Sequence, residues 1–339
     1  MLAAKKKRIL TGIRPTGPLH LGHYAGALEN WVGLQTSYDC YFLIADYQVS
    51  DYADDMARVR EAVWEVALDW LAVGLDPERS AFVIESLIPE HAELSLWLSW
   101  FLPLGMLQRN PTLKAEMDAF GRKSVPVAFF TYPVMQVANI LMPRAHLIPV
   151  GEDQLPHIEL TREVARRFNR QFKEVFPEPE GLVGRVPRLV GIDGQAKMSK
   201  SLDNAIYLKD TPTVVNEKVR SMYTDPTRIR ATDPGHVEDN PVFLYHEVFN
   251  LNREEVADLK ERYLRGAVGD VEVKQKLATA LNTFLEPIRE RPAHFAAKMG
   301  LVRDALAQGT DRARKAAQTT MALVREALDL GYLEKFRGQ

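Results

Sequence analysis

The chain has 339 residues, 46% of them hydrophobic, with 43 Lys and Arg against 45 Asp and Glu for a net charge of -2. That length allows roughly two domains, and the apolar fraction excludes wholesale disorder. The near-neutral balance excludes a protein that grips nucleic acid by bulk charge, so any such contact must come from a local patch. The single cysteine, Cys40, excludes an intramolecular disulfide framework and a multi-cysteine zinc site, and its apolar neighbours make it a buried thiol. No apolar run approaches the ~18 residues of a membrane span. The basic cluster Lys5-Lys6-Lys7-Arg8 precedes only Ile9-Leu10, too short for the apolar region of a signal peptide, and reads as a solvated lead-in to the first strand. The expected compartment is the cytoplasm.

In chain order, Arg8 to Gly12 predicts a short buried strand, followed by the turn-rich Arg14-Pro15-Thr16-Gly17-Pro18 and a helix from about Leu21. Asp39 to Asp46 predicts a second strand. Met56, Val59, Val63, Val66 and Trp70 recur at spacings of 3 and 4, an amphipathic helix ending near Gly74. A third strand is expected over Ala81 to Leu87, helices over 90–102, 112–120 and 127–141, and a further strand over His146 to Val150. That strand opens through Gly151-Glu152-Asp153 into a helix carrying Leu160, Val164 and Phe168 on one face. From Thr211 onward strand signals fade. Helices are expected over 211–222, 253–265, 271–289 and 310–330, the last with Thr310 as N-cap and Gly331 just past its end.

Strands alternating with helices imply an α/β fold, a Rossmann-like doubly wound parallel sheet, with a C-terminal all-helical domain after it. Ligands of such sheets sit beyond the carboxyl ends of the strands, where the strand order reverses. The loop after the first strand and the Gly151-Glu152-Asp153-Gln154 turn both lie at such ends. We expect a catalytic domain over 1–190, a helical domain over 191–291 and terminal helices over 292–339.

Two segments carry chemistry. In His20-Leu21-Gly22-His23, two imidazoles flank the start of a helix whose free N–H groups and dipole favour phosphate. Gly22 removes a Cβ, so a purine has room against the backbone. Taken alone, these four residues are equally well a capping and a solvent histidine. In Lys197-Met198-Ser199-Lys200-Ser201, two ammonium groups three residues apart on a small-residue loop suit a polyphosphate and its developing charge. Most Lys/Ser loops are solvated turns, but this five-residue pattern stands at the expected domain junction. Both segments together describe attack on the α-phosphate of ATP.

These motifs, with Thr11 to Gly17, Tyr132-Pro133, Val150-Gly151-Glu152-Asp153-Gln154, His157 to Glu163 and Arg167-Phe168-Asn169, resemble the class I aminoacyl-tRNA synthetases, and among them the tryptophanyl-tRNA synthetases. The resemblance runs through about the first 205 residues. It implies tryptophan, Mg-ATP and tRNA(Trp) as partners, a homodimer, anticodon reading by the helical domain, and terminal helices that pack back on the catalytic domain. It assigns catalysis to His20, His23, Lys114, Lys197 and Lys200. ATP is assigned to Gly12, Arg14, His20, Gly22, His23, Gly151, Asp153, Lys197, Met198, Ser199 and Lys200, with Mg2+ held mainly by the phosphates and no protein metal site. The amino acid is assigned to Leu10, Tyr132, Gln136, Asn139, Ile148, Val150 and Gln154. Leu10, Ile148 and Val150 fit an ordinary core equally well. The anticodon candidates are Arg220, Arg228, Arg230, Lys260, Arg262 and Arg265.

The pocket departs from the family pattern. Asn139 stands where the bacterial tryptophanyl enzymes usually carry an aspartate that accepts the indole N–H. An amide carbonyl accepts the same bond without charge assistance, so Asn139→Asp is expected to keep or improve tryptophan activation. Tyr132-x-x-x-Gln136-x-x-Asn139 leans towards the tyrosyl pattern. Arg14 and Gln48 replace a usual Gln and His, and a cation at 14 disfavours a nearby substrate ammonium. The interval between the phosphate motifs lacks room for a hydrolytic editing domain, which suits a large aromatic substrate. The alternatives are a tyrosyl-type or specificity-altered relative, a cofactor nucleotidyltransferase of the same fold, and a non-catalytic binding protein.

Overall fold

The computed structural model describes residues 6–120, 125–184, 186, 189–195, 198–230, 232–296 and 299–332. Among them, strands β1 (Arg8–Ile13), β2 (Asp39–Ile44), β3 (Ala81–Ile84), β4 (Leu147–Val150) and β5 (Glu180–Val183) form one parallel sheet in the order β3-β2-β1-β4-β5. Every pairing is parallel, with Arg8 opposite Asp39 and Ile13 opposite Ile44. The order runs outwards from β1 in both directions, so the crevice at the carboxyl ends of β1 and β4 is the switch point.

The first helix is not uniform. Leu21–His23 (α1) passes through one wide π-turn, Tyr24–Leu28, into Glu29–Leu34 (α2). Then come α3 (Met56–Val73), α4 (Glu90–Ser99), α5 (Leu104–Arg109), α6 (Pro111–Phe120), α7 (Val127–Leu141) and α8 (Leu155–Gln171). The remainder is α9 (Pro212–Arg220), α10 (Pro241–Phe249), α11 (Arg253–Leu264), α12 (Asp270–Ala296) and α13 (Met299–Ala327). The chain divides into two compact units: one of Met1–Gly17, Asn30–Gly184 and Lys298–Gln339, the other of Pro18–Glu29 and Arg185–Ala297.

In the first unit, apolar positions of α3 meet the sheet: Val59, Val66 and Trp70 are buried, and Trp70 meets Phe82 edge-on at 5.3 Å between ring centroids. Asp55 caps α3 by accepting the Arg58 N–H at 3.1 Å, and Gly74 ends it in the left-handed conformation at φ 100. Cys40 is fully buried, and burial pushes its thiol up to about 11, so it is an inert core residue.

Strands β2 and β3 stop earlier than their apolar runs suggest, because polar side chains tie their ends together. The Asp46 carboxylate accepts the Ser86 N–H at 2.9 Å, and Glu85 accepts the Tyr47 N–H at 3.0 Å. Both strands run into single 3-10 turns there. β5 escapes the sequence reading because its residues are few and mostly exposed, with no apolar run to mark it.

Thr310 is not an N-cap. It lies inside α13, buried, and its hydroxyl accepts the Ile84 N–H of β3 at 3.2 Å. Beside it, Gly309 lies against the Phe82 backbone, where a Cβ would overlap the amide nitrogen and carbonyl oxygen. β3 is an edge strand of the sheet, and the Gly309-Thr310 pair lets α13 cover its free edge at backbone distance.

In the second unit no strand occurs among the described residues, and α12 packs on α9 and α10. Lys274 on α12 is buried and caps the end of α9, donating to Met222 O at 2.6 Å and Thr224 Oγ1 at 2.8 Å. Arg228 departs from its expected role on an RNA-facing surface. Its guanidinium is buried, lies 4.1 Å over the Tyr263 ring, and donates to Val268 O, Asp233 O and Asp270. It staples the irregular 222–240 segment instead.

Candidate active site

In the first unit, the carboxyl end of β1 leads through Gly12 into the Arg14 to Gly17 turn, closed by Gly17 at φ 127. A side chain at Gly12 would meet the Leu43 carbonyl oxygen at 2.6 Å, so the strand contact alone requires glycine. The Arg14 guanidinium pairs with Asp51, a residue the sequence reading missed. That carboxylate offsets the cation that is otherwise unfavourable for a substrate ammonium.

Beyond β4, Gly151 sits where a Cβ would lie 2.7 Å from Asp153 Oδ1. Thr112 Oγ1 donates to the Asp153 carbonyl at 2.7 Å, which ties α6 to this turn. Asp153 is exposed and Gln154 half-buried. Lys114, two residues beyond Thr112 on α6, is exposed.

Tyr132, Gln136 and Asn139 recur on α7 at spacings of four and three, which places them along one face. Gln136 Nε2 stands 3.4 Å from Gln154 Oε1, so these two amides meet. Tyr132 is oriented by a chain of hydrogen bonds whose direction is determined. Asn110 Oδ1 accepts from the Thr112 and Leu113 N–H groups, which turns its NH2 towards His157 Nδ1 at 3.4 Å. Nδ1 is therefore the acceptor and the His157 proton sits on Nε2, 2.9 Å from the Tyr132 oxygen. Burial pushes His157 down to about 4, so the ring is neutral. The Tyr132 hydroxyl is left to donate, and Glu116 is its acceptor. Burial first, then the Glu116 charge, raises the Tyr132 hydroxyl above its usual range. His157 belonged to a recognised motif, but only the fold reveals its position behind Tyr132.

Leu10 and Ile148 are buried members of the sheet's apolar core, with Tyr132 and Val150 packed against the same cluster. Asn139 is buried and donates Nδ2–H to Glu85 Oε1 at 2.6 Å. This carboxylate reverses the expectation for Asn139→Asp, since an aspartate there would place a second buried carboxylate against Glu85. Glu85 closes the apolar run Ala81-Phe82-Val83-Ile84, and an acid in that position was the only sequence signal for it.

In the second unit, His20 and His23 stack with ring centroids 3.8 Å apart. The His20 N–H donates to His23 Nδ1 at 3.2 Å, which places the His23 proton on Nε2. Gly22 N lies 3.2 Å from Met198 Sδ, so the two sequence motifs touch directly. Strand-like bonds reinforce this, from Leu21 N to Ile206 O at 2.9 Å and from Leu208 N to Leu19 O at 3.0 Å. The loop bearing Met198, Ser199 and Lys200 is built around buried Asn204. Its Oδ1 accepts the Ser199 N–H at 2.8 Å, its Nδ2 donates to Asp193 at 3.1 Å, and Gly191 leaves room for that amide. Lys200 is half-buried and opens the Lys200–Leu202 turn, which Asp203 closes at φ 49. Lys197 lies outside the described residues.

A family model described as tRNA synthetases class I (W and Y) matches residues 3–286. The chain belongs to this family. The tryptophan–tRNA ligase of Treponema pallidum is 50% identical over 326 residues, covering 95% of this chain and 97% of that protein. That of Streptococcus pneumoniae is 48% identical over 337 residues, covering 96% and 99%. Among solved structures, the tryptophanyl-tRNA synthetase of Campylobacter jejuni in complex with ADP and tryptophan aligns at a TM-score of 0.83 and 32% identity, over 95% of this chain and 99% of that one. The tyrosyl-tRNA synthetase of Archaeoglobus fulgidus aligns at 0.67 and 26% identity, over 85% and 90%. The chain is thus a class I aminoacyl-tRNA synthetase built on a parallel five-stranded sheet.

Proposed function

We propose that this synthetase is a tryptophan–tRNA ligase. The observation that carries the reading is the near full-length identity to tryptophan–tRNA ligases, joined to the contact between the Gly22 amide and Met198. The tryptophan carboxylate attacks the α-phosphate of ATP in line, giving tryptophanyl-adenylate and pyrophosphate; the 2′-hydroxyl of the terminal adenosine of tRNA(Trp) then attacks the adenylate carbonyl and takes the aminoacyl group, with AMP as the leaving group. No enzyme nucleophile is required, and the catalytic work is positioning and charge stabilisation.

His20, His23, Lys114, Lys197, Met198, Ser199 and Lys200 are assigned to the phosphates. Gly12, Arg14, Gly22, Gly151 and Asp153 are assigned to the nucleoside side of ATP, and Leu10, Tyr132, Gln136, Asn139, Ile148, Val150 and Gln154 to tryptophan. Mg2+ enters with the phosphates, the usual habit of a hard cation that keeps its waters. Arg220 and Arg230 are exposed candidates for the anticodon surface; Lys260, Arg262 and Arg265 carry acidic partners that RNA phosphate must displace. A homodimer is proposed, supported by the exposed apolar side chains Leu87, Leu96, Trp100 and Leu104 in the first unit. No helix among the described residues is long and apolar enough to cross a membrane, and cytoplasm is the proposed compartment.

ATP–pyrophosphate exchange measured separately with tryptophan and tyrosine tests the reading, and exchange with tyrosine alone overturns it. Within the same assay Tyr132→Phe removes the hydroxyl oxygen, the acceptor proposed for the substrate ammonium, and strands the His157 Nε2–H. The expected result is a KM for tryptophan about tenfold higher, as for one lost hydrogen bond to a charged group, with the KM for ATP unchanged.

A further inference from the structure

Glu85 is fully buried and held by neutral donors: the Tyr47 N–H on Oε2 at 3.0 Å, and Asn139 Nδ2 at 2.6 Å and Gln48 Nε2 at 3.4 Å on Oε1. A carboxylate out of water with three neutral donors is a costly device for holding a core together. Its effect on Asn139 is specific. An ionised carboxylate only accepts, so the Asn139 amide must turn its NH2 towards Glu85. The carbonyl limb of the same amide, Oδ1, is buried and has no hydrogen-bond partner. An orphaned acceptor 2% exposed, on the α7 face that also carries Tyr132 and Gln136, requires a donor.

We propose that Glu85 is a positioning residue for amino-acid choice: its ionised carboxylate fixes the Asn139 amide so that the carbonyl oxygen, and not the NH2, is presented to the indole N–H. This rests on the tryptophan reading above. Aspartate needs no such partner, because either of its oxygens accepts; an asparagine at 139 does, because half of its orientations would present a donor to a donor.

The device is sensitive to protons. Burial raises Glu85 to about 7, with the Asp46 charge adding to the rise and the three donors opposing it. On the α4 side, His91 faces Asn139 and is held neutral, pushed down to about 4 by burial, with the Asn139 amide and the Glu90 charge opposing that fall. Its Nδ1, like Asn139 Oδ1, makes no hydrogen bond of normal geometry, and the imidazole lies on the carbonyl side of the amide. As pH falls through about 7 Glu85 therefore becomes a donor. The amide then turns over, and Oδ1 accepts from Glu85. Tryptophan affinity is lost towards acid. Folding stability moves the opposite way, because below about 7 the folded protein binds a proton that the unfolded chain does not yet bind. A merely structural role for Glu85 changes stability alone.

The test is the KM for tryptophan in ATP–pyrophosphate exchange between about pH 6 and about pH 8.5, on the wild-type chain, Glu85→Gln and the exchanged pair Glu85→Gln/Asn139→Asp, with thermal melting of each. Wild type is expected to show a KM that rises towards acid by about tenfold across the titration, with the KM for ATP flat. Glu85→Gln, isosteric and uncharged, is expected to show a raised KM without that pH dependence. In the exchanged pair the amide now at position 85 donates to one oxygen of the carboxylate now at position 139 and leaves the other for the indole, so the low KM returns and stays flat. A wild-type KM for tryptophan that does not change with pH overturns the proposal whatever the variants do. So does a Glu85→Gln enzyme with wild-type KM and profile. A wild-type chain that exchanges with tyrosine and not tryptophan instead overturns the functional reading on which the proposal rests.

Discussion

Lys200→Ala is expected to lower tryptophan-dependent ATP–pyrophosphate exchange by about a hundred- to a thousandfold, the range found when one donor to a developing negative charge is removed. The charge on the pyrophosphate leaving group grows only as the α-phosphate bond breaks, so the loss should appear in kcat with little change in the KM for tryptophan. The loop keeps much of its form without the lysine. Asn204 holds the Ser199 N–H and Asp193, and Leu189 O accepts the Met198 N–H at 3.2 Å. Lys200→Arg keeps the cation but spreads it over a plane, and should recover only part of the rate. A fall of less than about tenfold for the alanine variant would remove Lys200 from the phosphate machinery.

Gly309→Val is expected to lower the thermal transition by on the order of 5–10 °C, from roughly 2–3 kcal/mol of overpacking in the first unit. The usual remedy for an oversized core side chain is a small rotation of its neighbours. Here the obstruction is the Phe82 backbone, which β-pairing to Phe42 fixes in place. α13 would have to lift from β3, breaking the Thr310 hydroxyl bond to Ile84 and exposing the strand's edge. Differential scanning calorimetry reads the shift directly, and a transition within about 2 °C of wild type would show that α13 yields without cost.

The sheet was legible in the sequence because its strands are nearly continuous apolar runs, as strands buried on both faces must be. The helices α3 and α8 were legible from periodicity, and α7 was expected at its observed bounds. β5 was not, since it has no apolar run, and α10 was missed although Asn240 and Pro241 mark its start. Thr310 was misread because a hydroxyl before an apolar period has the same local pattern whether it caps a helix or packs inside one; only the arrival of Ile84 distinguishes them.

The site divides in the same way. His20, Gly22, His23 and the Met198 to Lys200 segment were visible because their chemistry is local. Glu85, Asp51 and Asn204 were not, and of His157 only its motif was visible, not its role behind Tyr132. Glu85, His157 and Asp51 each act on a residue far away in the chain: Glu85 on Asn139, His157 on Tyr132, Asp51 on Arg14. Asn204 is nearer, five residues from Ser199, but an asparagine inside a loop has no pattern that marks it as the loop's support.

The cover over β3 also sets an order of events during synthesis. Ile84 and Thr310 are 226 residues apart. At about 5–20 residues per second, the ribosome emits the residue that closes the edge roughly ten to forty-five seconds after the strand itself. Throughout that interval the nascent sheet carries an open hydrogen-bonding edge, so this chain is vulnerable while it is being made in a way that the finished molecule is not.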